Sequence, residues 1–378
     1  MDVYLDNAST TNVSKEILEA MLPYFKEEFG NPSSLHEKGI NSRKVINKSR
    51  IKIAELLNCK KSEIYFTGGG TESINWALKG LAFKNRTKYE IITTNIEHHA
   101  TSRTCEFLEA LGFTINYLKV DSNGFININE LRSMVNENTL VVSIIMANNE
   151  IGTIQNIKEI SGICDEARTY LHVDAVQAVC HIELDVEELS VDLLSISGHK
   201  FHAPKGIGLL YIKEGTHIEN LIHGGQQERK KRAGTENVPY IVGITKALEL
   251  GISNIGNYTK LLNSYSKTFL ERLDKENIEY ILNGPNIGED RLPGNLNISF
   301  KDIDGLVLTY LLNKRGIYVS TGSACDTESI EPSHVITAIE VPNNYINATI
   351  RFSIGNETTI GELDYVLDNL ISIIKNEI

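Results

Sequence analysis

From about residue 63 the chain alternates short, continuous apolar runs with longer stretches whose apolar positions recur at helical spacing. The runs lie at 64–67, 90–94, 114–118, 140–146, 170–173, 193–196 and 208–212. Continuous apolar runs of this length suit strands buried on both faces. The intervening stretches, such as 72–83 and 157–168, predict helices. Strand–helix alternation predicts an α/β unit with a mostly parallel sheet. Before it lies an N-terminal arm of turn and cap residues from Asp6 to Thr11. A helix is expected next, capped by Ser14, with apolar positions Ile17, Leu18, Met21 and Leu22. A second helix is expected over 42–57, ending at Asn58. After about residue 255 the rhythm changes. An amphipathic helix at 258–275 leads to strands at 295–300 and 349–352 and helices at 304–314 and 359–375. The expectation is a large domain over 15–255. A smaller α+β domain would be built from 1–14 and 256–378, with the N-terminal arm packed against it.

Composition narrows the class. A chain of 378 residues, 41% hydrophobic and 23% charged, is long enough for two domains around large cores. The net charge of -12 argues against general nucleic-acid binding, despite the basic run at 229–232. The five cysteines are odd in number and form no CxxC, so neither a metal site nor a disulfide framework is expected. Four of them, Cys59, Cys105, Cys164 and Cys180, sit in apolar or helical contexts and read as packing residues. The N-terminus has no basic and apolar leader pattern, and no apolar run reaches the roughly 18 residues of a membrane span. A cytoplasmic protein without membrane attachment is expected.

Several motifs could carry chemistry, and each has an ordinary structural alternative. In SGHKFHAPKG, Lys200 follows an apolar run and is flanked by His199 and His202. An amine at the mouth of a buried strand can form a Schiff base with an aldehyde cofactor; a surface lysine is the alternative. In HVDAVQ, Asp174 ends a strand where α/β sheets bind ligands. It could hold a protonated pyridine nitrogen, with Gln177 donating to a ring oxygen, or simply cap a helix. Residues 67–73, TGGGTES, join a strand to a helix, and their glycines and helix N-terminus suit an anion as well as a plain βα turn. His98 in NIEHHAT could stack on a ring or move protons. Capping of the next helix is the alternative, stronger for His99 than for His98. Asn149 in MANNEIG and Arg351 in TIRFSIG could hold a substrate carboxylate, the arginine through its bidentate fork. A strand-end turn and a structural salt bridge are the alternatives. Cys325 lies in the small-residue loop STGSAC, where a thiol would be accessible, although Asp326 and Glu328 disfavour its thiolate; an incidental loop cysteine is the alternative.

Taken in order, YLDNASTT, GNPSSLH, FTGGGTES, EHHA, NNEIG, HVDAVQ, SGHKFHAPKGIG, GGQQERKKRAGTEN, STGSAC, EPSHV and IRFSIG cover nearly the whole chain. The sequence resembles the cysteine desulfurases of the NifS/IscS type, within the class V aminotransferase fold (fold type I) of pyridoxal phosphate enzymes. The resemblance implies that Lys200 forms the Schiff base, Asp174 pairs with the pyridine nitrogen and Gln177 contacts the phenolic oxygen. His98 would stack on the ring and assist proton transfer. Gly70, Thr71, Ser197 and His199 would bind the phosphate side. Thr235 would reach the phosphate in the neighbouring subunit, which implies a homodimer. Asn149 and Arg351 would hold the carboxylate of L-cysteine, and Asn149 would also touch the cofactor. Cys325 would take the sulfur as a persulfide, leaving L-alanine, and pass it to an acceptor protein for iron–sulfur cluster assembly or for tRNA or cofactor thiolation. The basic run at 229–232 would belong to a loop near the shared site. The SxGSAC form, as opposed to the RxGHHC form of the SufS type, points to the group with a longer, mobile loop.

Some positions depart from the pattern. Asn12 stands where a proline is common, Ala203 where many relatives have glycine, and Asp326 where Ser or Thr follows the nucleophile. The last helix ends close to Ile378, and a shorter tail than in IscS-type relatives puts docking of an iron–sulfur scaffold in doubt. Two other activities fit part of the pattern: an aminotransferase or selenocysteine lyase, which has no need of a loop thiol, and a sulfur-relay protein without catalysis, which has no need of Lys200.

Overall fold

In the computed structural model, residues 1–85, 87–321 and 332–377 are described, and among them the apolar runs form strands of three sheets. In chain order the strands are β1 (Val3–Tyr4), β2 (Ile64–Thr67), β3 (Glu90–Thr94), β4 (Thr114–Leu118), β5 (Thr139–Ile145) and β6 (Tyr170–Asp174). There follow β7 (Leu193–Ser197), β8 (Gly208–Ile212), β9 (Tyr280–Leu282), β10 (Asn295–Phe300), β11 (Ile317–Tyr318) and β12 (Thr349–Ser353). The largest sheet has seven strands in the order β2-β8-β7-β6-β5-β3-β4. Only β8 runs against the rest, so the sheet is mostly parallel.

Both faces of this sheet are covered, and the alternation of side chains along each strand divides the core accordingly. Phe66, Ile92, Val142, Ile144, Leu194 and Ile196 belong to one cluster, together with Ile46, Ile53, Ile160, Ile241 and Ile244 from helices. Tyr65, Ile91, Val141, Leu193 and Leu210 face the other way, toward Ile74, Trp76, Leu78 and Leu108. The parallel strands therefore end together along one edge, where the residues after β3, β5, β6 and β7 meet.

The C-terminal part has its own core. β12, β10 and β9 make a three-stranded antiparallel sheet, and β1 pairs in parallel with β11. Val3 and Leu5 of the N-terminal arm are buried in the same cluster as Phe269, Leu296, Phe352 and Leu367. Backbone bonds fix the arm there: the Val3 amide donates to the Gly316 carbonyl at 2.7 Å, and the Ser353 amide to the Leu5 carbonyl at 2.7 Å.

Two helices and three short strands differ from the expectations. The helix expected from 258 is one 38-residue helix, Val238–Lys275. Its first half carries Ile241, Ile244 and Leu248 into the first core, and its second half carries Phe269 and Leu273 into the other. The apolar stripe changes partner without a break, so the change of rhythm near 255 marks no end of an element. The helix expected over 42–57 spans Glu37–Leu57, because the His36 side chain caps it by accepting from the Gly39 amide at 3.3 Å. The short strands β1, β9 and β11 are set by their partners rather than by any periodicity of their own.

Candidate active site

Lys200, His98, Asp174 and Asn149 converge where the parallel strands end, as expected for an open α/β sheet. Two adjoining cavities lie there. One is lined by Gly70, Thr71, His98, Asn149, Asp174, Gln177, Ser197, His199 and Lys200. The other is lined by Ser9, Glu97, His98, Asn149, Lys200, His334 and Arg351 among others. His98, Asn149 and Lys200 line both, so they stand at the junction.

Lys200 ends the short helical turn Gly198–Lys200 directly after β7. Its Nζ donates to the carbonyls of Ala8 and Ser9 at 2.7 and 2.9 Å. The N-terminal arm thus enters the site through its backbone, a contribution no residue type in DNAST announces. The Ala8 carbonyl also accepts from Gln177 Nε2 at 2.8 Å, leaving that amide a second hydrogen for another acceptor.

Asp174 is the last residue of β6 and is 2% exposed. Burial pushes its carboxyl up to about 6, against the lowering influence of the Val176 amide and of Lys200. A buried carboxylate of this kind favours a cationic partner. Below it, His172 is fully enclosed between the Ser143 and Ser195 hydroxyls at 2.8 and 2.9 Å, and burial lowers it to about 3. It is a neutral, satisfied histidine within the sheet.

His98, not His99, caps the helix His99–Glu109: His98 Nδ1 accepts from the Ala100 amide at 3.0 Å. The sequence favours His99 as the cap, and the structure reverses that order. The cap makes Nδ1 the acceptor and leaves the proton of a neutral imidazole on Nε2. Glu97, which sequence reasoning passed over, is 1% exposed. Its Oε1 accepts from the Thr94 hydroxyl at 2.7 Å and the Ile145 amide at 2.9 Å, while burial pushes the group up to about 8. A glutamate beside a histidine in EHH carries no pattern that distinguishes it from a helix-start acid.

The glycine turn after β2 opens the helix Gly70–Lys84. Gly69 has φ +149°, a conformation that disfavours side chains, and a Cβ on Gly70 would sit 2.8 Å from Val176 Cγ2 and 3.2 Å from Ser197 Cβ. The first helical bond is from the Ser73 amide to the Gly69 carbonyl at 3.1 Å. The amides of Gly70 and Thr71 precede it and have no helical partner. His199 Nδ1 lies 3.1 Å from the Thr10 hydroxyl, and burial first, then Lys200, Lys205 and His98, lower it to about 4.

On the other side of the junction, Arg351 lies in β12 at 1% exposure. Its Nη2 donates to Asp6 Oδ1 at 2.9 Å and to the Ser9 hydroxyl at 2.6 Å, and its Nη1 donates to the Asn149 carbonyl at 3.0 Å. The salt bridge weighed as an alternative is therefore present. Nε has no partner. Both Nη2 hydrogens are taken, so a bidentate grip on a carboxylate, through Nη2 with either Nε or Nη1, opens only when the Asp6 or the Ser9 bond yields. In the adjacent turn it is Asn148 that shapes the backbone, its Oδ1 accepting from the Glu150 and Ile151 amides, and Asn149 lines the cavities.

Thr235 is exposed and lines neither cavity. Cys325 and Asp326 lie outside the described residues. Cys105, Cys164 and Cys180 are buried and Cys59 is partly so, with burial raising all four thiols, to about 12 for Cys59, Cys105 and Cys164. None of these four is poised as a thiolate.

The geometry has relatives. Residues 3–366 match the family model of the aminotransferase class-V proteins. The chain belongs to the aminotransferase class-V family. It is 50% identical over 374 residues to the cysteine desulfurase IscS of Methanosarcina thermophila, covering 99% of this chain and 92% of that one. A cysteine desulfurase IscS of Dictyoglomus turgidum is 50% identical over 375 residues, covering 99% and 95%. Among solved structures, a NifS-like protein superposes with a TM-score of 0.93 at 40% identity, covering 99% of both chains. A structure described as SspA in complex with cysteine gives a TM-score of 0.82 at 35% identity, covering 93% of this chain and 98% of that one.

Class V enzymes of the desulfurase kind depend on pyridoxal phosphate, and the residues present fit it. A primary amine, a buried carboxylate with no strong cationic partner of its own, a side-chain amide donor and a glycine turn with open amides share one cavity. Filling that turn with a methyl group would collide with Val176.

Proposed function

We infer that this protein is a pyridoxal phosphate-dependent cysteine desulfurase that converts L-cysteine to L-alanine and carries the sulfur on Cys325. The observation that supports it most is the junction of the two cavities, where Lys200 and His98 stand between the Asp174 side and the Arg351 side. When bound, the cofactor supplies an aldehyde for amines and a ring that takes up negative charge from the substrate Cα. Gly70, Thr71, Ser197 and His199 hold its phosphate side. Asp174 pairs with the pyridine nitrogen, and the positive charge there offsets the cost of burying the carboxylate. Gln177 donates to the ring oxygen.

Arg351 and Asn149 orient the substrate carboxylate on the opposite side. Lys200 Nζ, held by the arm carbonyls, takes the Cα proton, and His98 Nε2 moves a proton at the same junction. Cys325 thiolate attacks the substrate sulfur. An S–S bond forms, the Cβ–S bond breaks with its electron pair going to carbon, and Cβ gains a proton; the products are the Cys325 persulfide and L-alanine. The persulfide passes to an acceptor protein of iron–sulfur assembly or of tRNA or cofactor thiolation.

The protein acts as a homodimer, with Thr235 reaching the partner's phosphate site. Exposed Phe29, at 65%, and Leu35, at 86%, lie in the GNPSSLH region and support an apolar contact between subunits. It works in the cytoplasm; no helix among the described residues is long and apolar enough to cross a membrane. The test is release of alanine from L-cysteine by the holoenzyme. Lys200→Ala is expected to lower turnover by at least about a thousandfold, since the amine is both anchor and base. Unchanged turnover in that variant would overturn the reading.

A further inference from the structure

The glycine turn that receives the phosphate also carries a negative charge of its own. Glu72 sits in the first turn of helix Gly70–Lys84, and its Oε2 accepts from the Gly68 amide at 2.8 Å. This bond fixes the turn. A carboxylate at a helix N-terminus is favourable when the site is empty, but it competes with any other anion placed there. Arg232 answers that charge. Its Nε donates to Glu72 Oε1 at 2.8 Å and its Nη2 to Glu72 Oε2 at 3.0 Å, a bidentate pair in which both side chains are mostly buried.

The segment that carries Arg232 is itself held in place. Glu228, Arg229 and Lys230 all have positive φ, at 44°, 57° and 67°, which side chains seldom adopt in succession. A buried pair holds this turn: Arg50 donates through Nη2 to Glu228 Oε1 at 2.6 Å and through Nη1 to Oε2 at 2.9 Å. The Phe66 amide adds a third bond, to Glu228 Oε2 at 3.0 Å. Phe66 lies in β2, the strand that leads into the glycine turn. The basic run at 229–232 is thus anchored on the elements that form the cradle.

We propose that Arg232 is a positioning residue for the cofactor phosphate: it neutralises Glu72, so that one carboxylate can brace the glycine turn without repelling the phosphate dianion. The proposal rests on the assignment of Gly70 and Thr71 to the phosphate. It separates two tasks within one ion pair. Glu72 needs only an acceptor atom to hold Gly68, whereas its charge is a liability that Arg232 removes.

The experiment titrates cofactor-stripped full-length protein with pyridoxal phosphate and, separately, with pyridoxal, which lacks the phosphate, following the visible absorbance of the Lys200 adduct. Arg232→Gln is expected to weaken pyridoxal phosphate binding about tenfold and leave pyridoxal binding unchanged. Glu72→Gln combined with Arg232→Gln is expected to restore binding to within about twofold, because glutamine keeps the acceptor for Gly68 and carries no charge. A merely structural ion pair would show no such rescue and would not distinguish the two ligands. Unchanged pyridoxal phosphate binding in Arg232→Gln, equal weakening of both ligands, or a double variant as weak as the single one would overturn the proposal. Thr71→Val provides the separate check: if it too leaves pyridoxal phosphate binding intact, the cradle assignment fails along with the proposal. If Thr71→Val weakens binding and Arg232→Gln does not, only the proposal fails.

Discussion

Asp174 shows how one residue can be built for a ligand at a cost to the empty protein. Its carboxyl is raised from 3.8 to about 6 by burial. A group raised in the folded state favours folding fully below its unfolded value and loses that contribution as pH climbs through the folded one. Without cofactor, the cost of ionised Asp174 therefore grows between about pH 4 and 6 and is constant above. Apo Asp174→Asn should gain stability relative to apo wild type over that window, by about 3 kcal/mol in total. Denaturant melts of both apoproteins across the range check this; a difference that does not rise with pH would refute it. In the holoenzymes the order should reverse at neutral pH, because the pyridinium charge is lost on a neutral amide. The residue types at the site, Lys200, Asp174, His98 and Arg351, were readable because their chemistry is in their side chains. The carbonyls of Ala8 and Ser9 were not, since every residue carries one, and the Asp6 and Ser9 bonds to Arg351 depend on a long-range contact.

At the scale of elements, the sheet strands were legible from continuous apolar runs, and their ends fell close to the expected positions. Helix starts were less so. His36 and His98 both cap helices through Nδ1, outside the usual set of capping residues, so His36 escapes a reading based on Ser, Thr, Asp and Asn, and His98 ranks only as the weaker alternative to His99. The 38-residue helix Val238–Lys275 was shortened for a different reason: its two halves answer to two cores, and the stripe shifts between them. Gly256 lies in its exposed middle, and a Cβ there would meet nothing within 4 Å. Gly256→Ala should therefore stabilise the protein by about 1 kcal/mol, through helix propensity alone. A melting temperature at or below that of wild type would show that the helix uses the glycine, for instance to flex between the cores.

At the scale of the whole molecule, the proposed function draws on a second subunit for one residue of each site, Thr235. Thr235 is exposed and lines neither cavity of its own chain. If it serves the partner's phosphate, a mixed dimer of one Lys200→Ala chain and one Thr235→Ala chain contains one fully intact site. Tagged co-expression and two-step purification of that mixed dimer should recover about half of wild-type turnover per dimer, since one of two sites is whole. Turnover no better than that of the Thr235→Ala homodimer would place Thr235 in its own subunit's site or outside catalysis. The central claim is the path of the sulfur. The four described cysteines are partly or fully buried with raised thiols, which supports the proposal that Cys325 takes the sulfur. Its most direct test is a single turnover of holoenzyme with L-cysteine, scored by peptide mass spectrometry for one added sulfur and by amino-acid analysis for alanine. The account predicts one alanine per active site and the extra sulfur on the Cys325 peptide, lost in Cys325→Ala. Alanine formed with the sulfur on another cysteine, or on none, would contradict it.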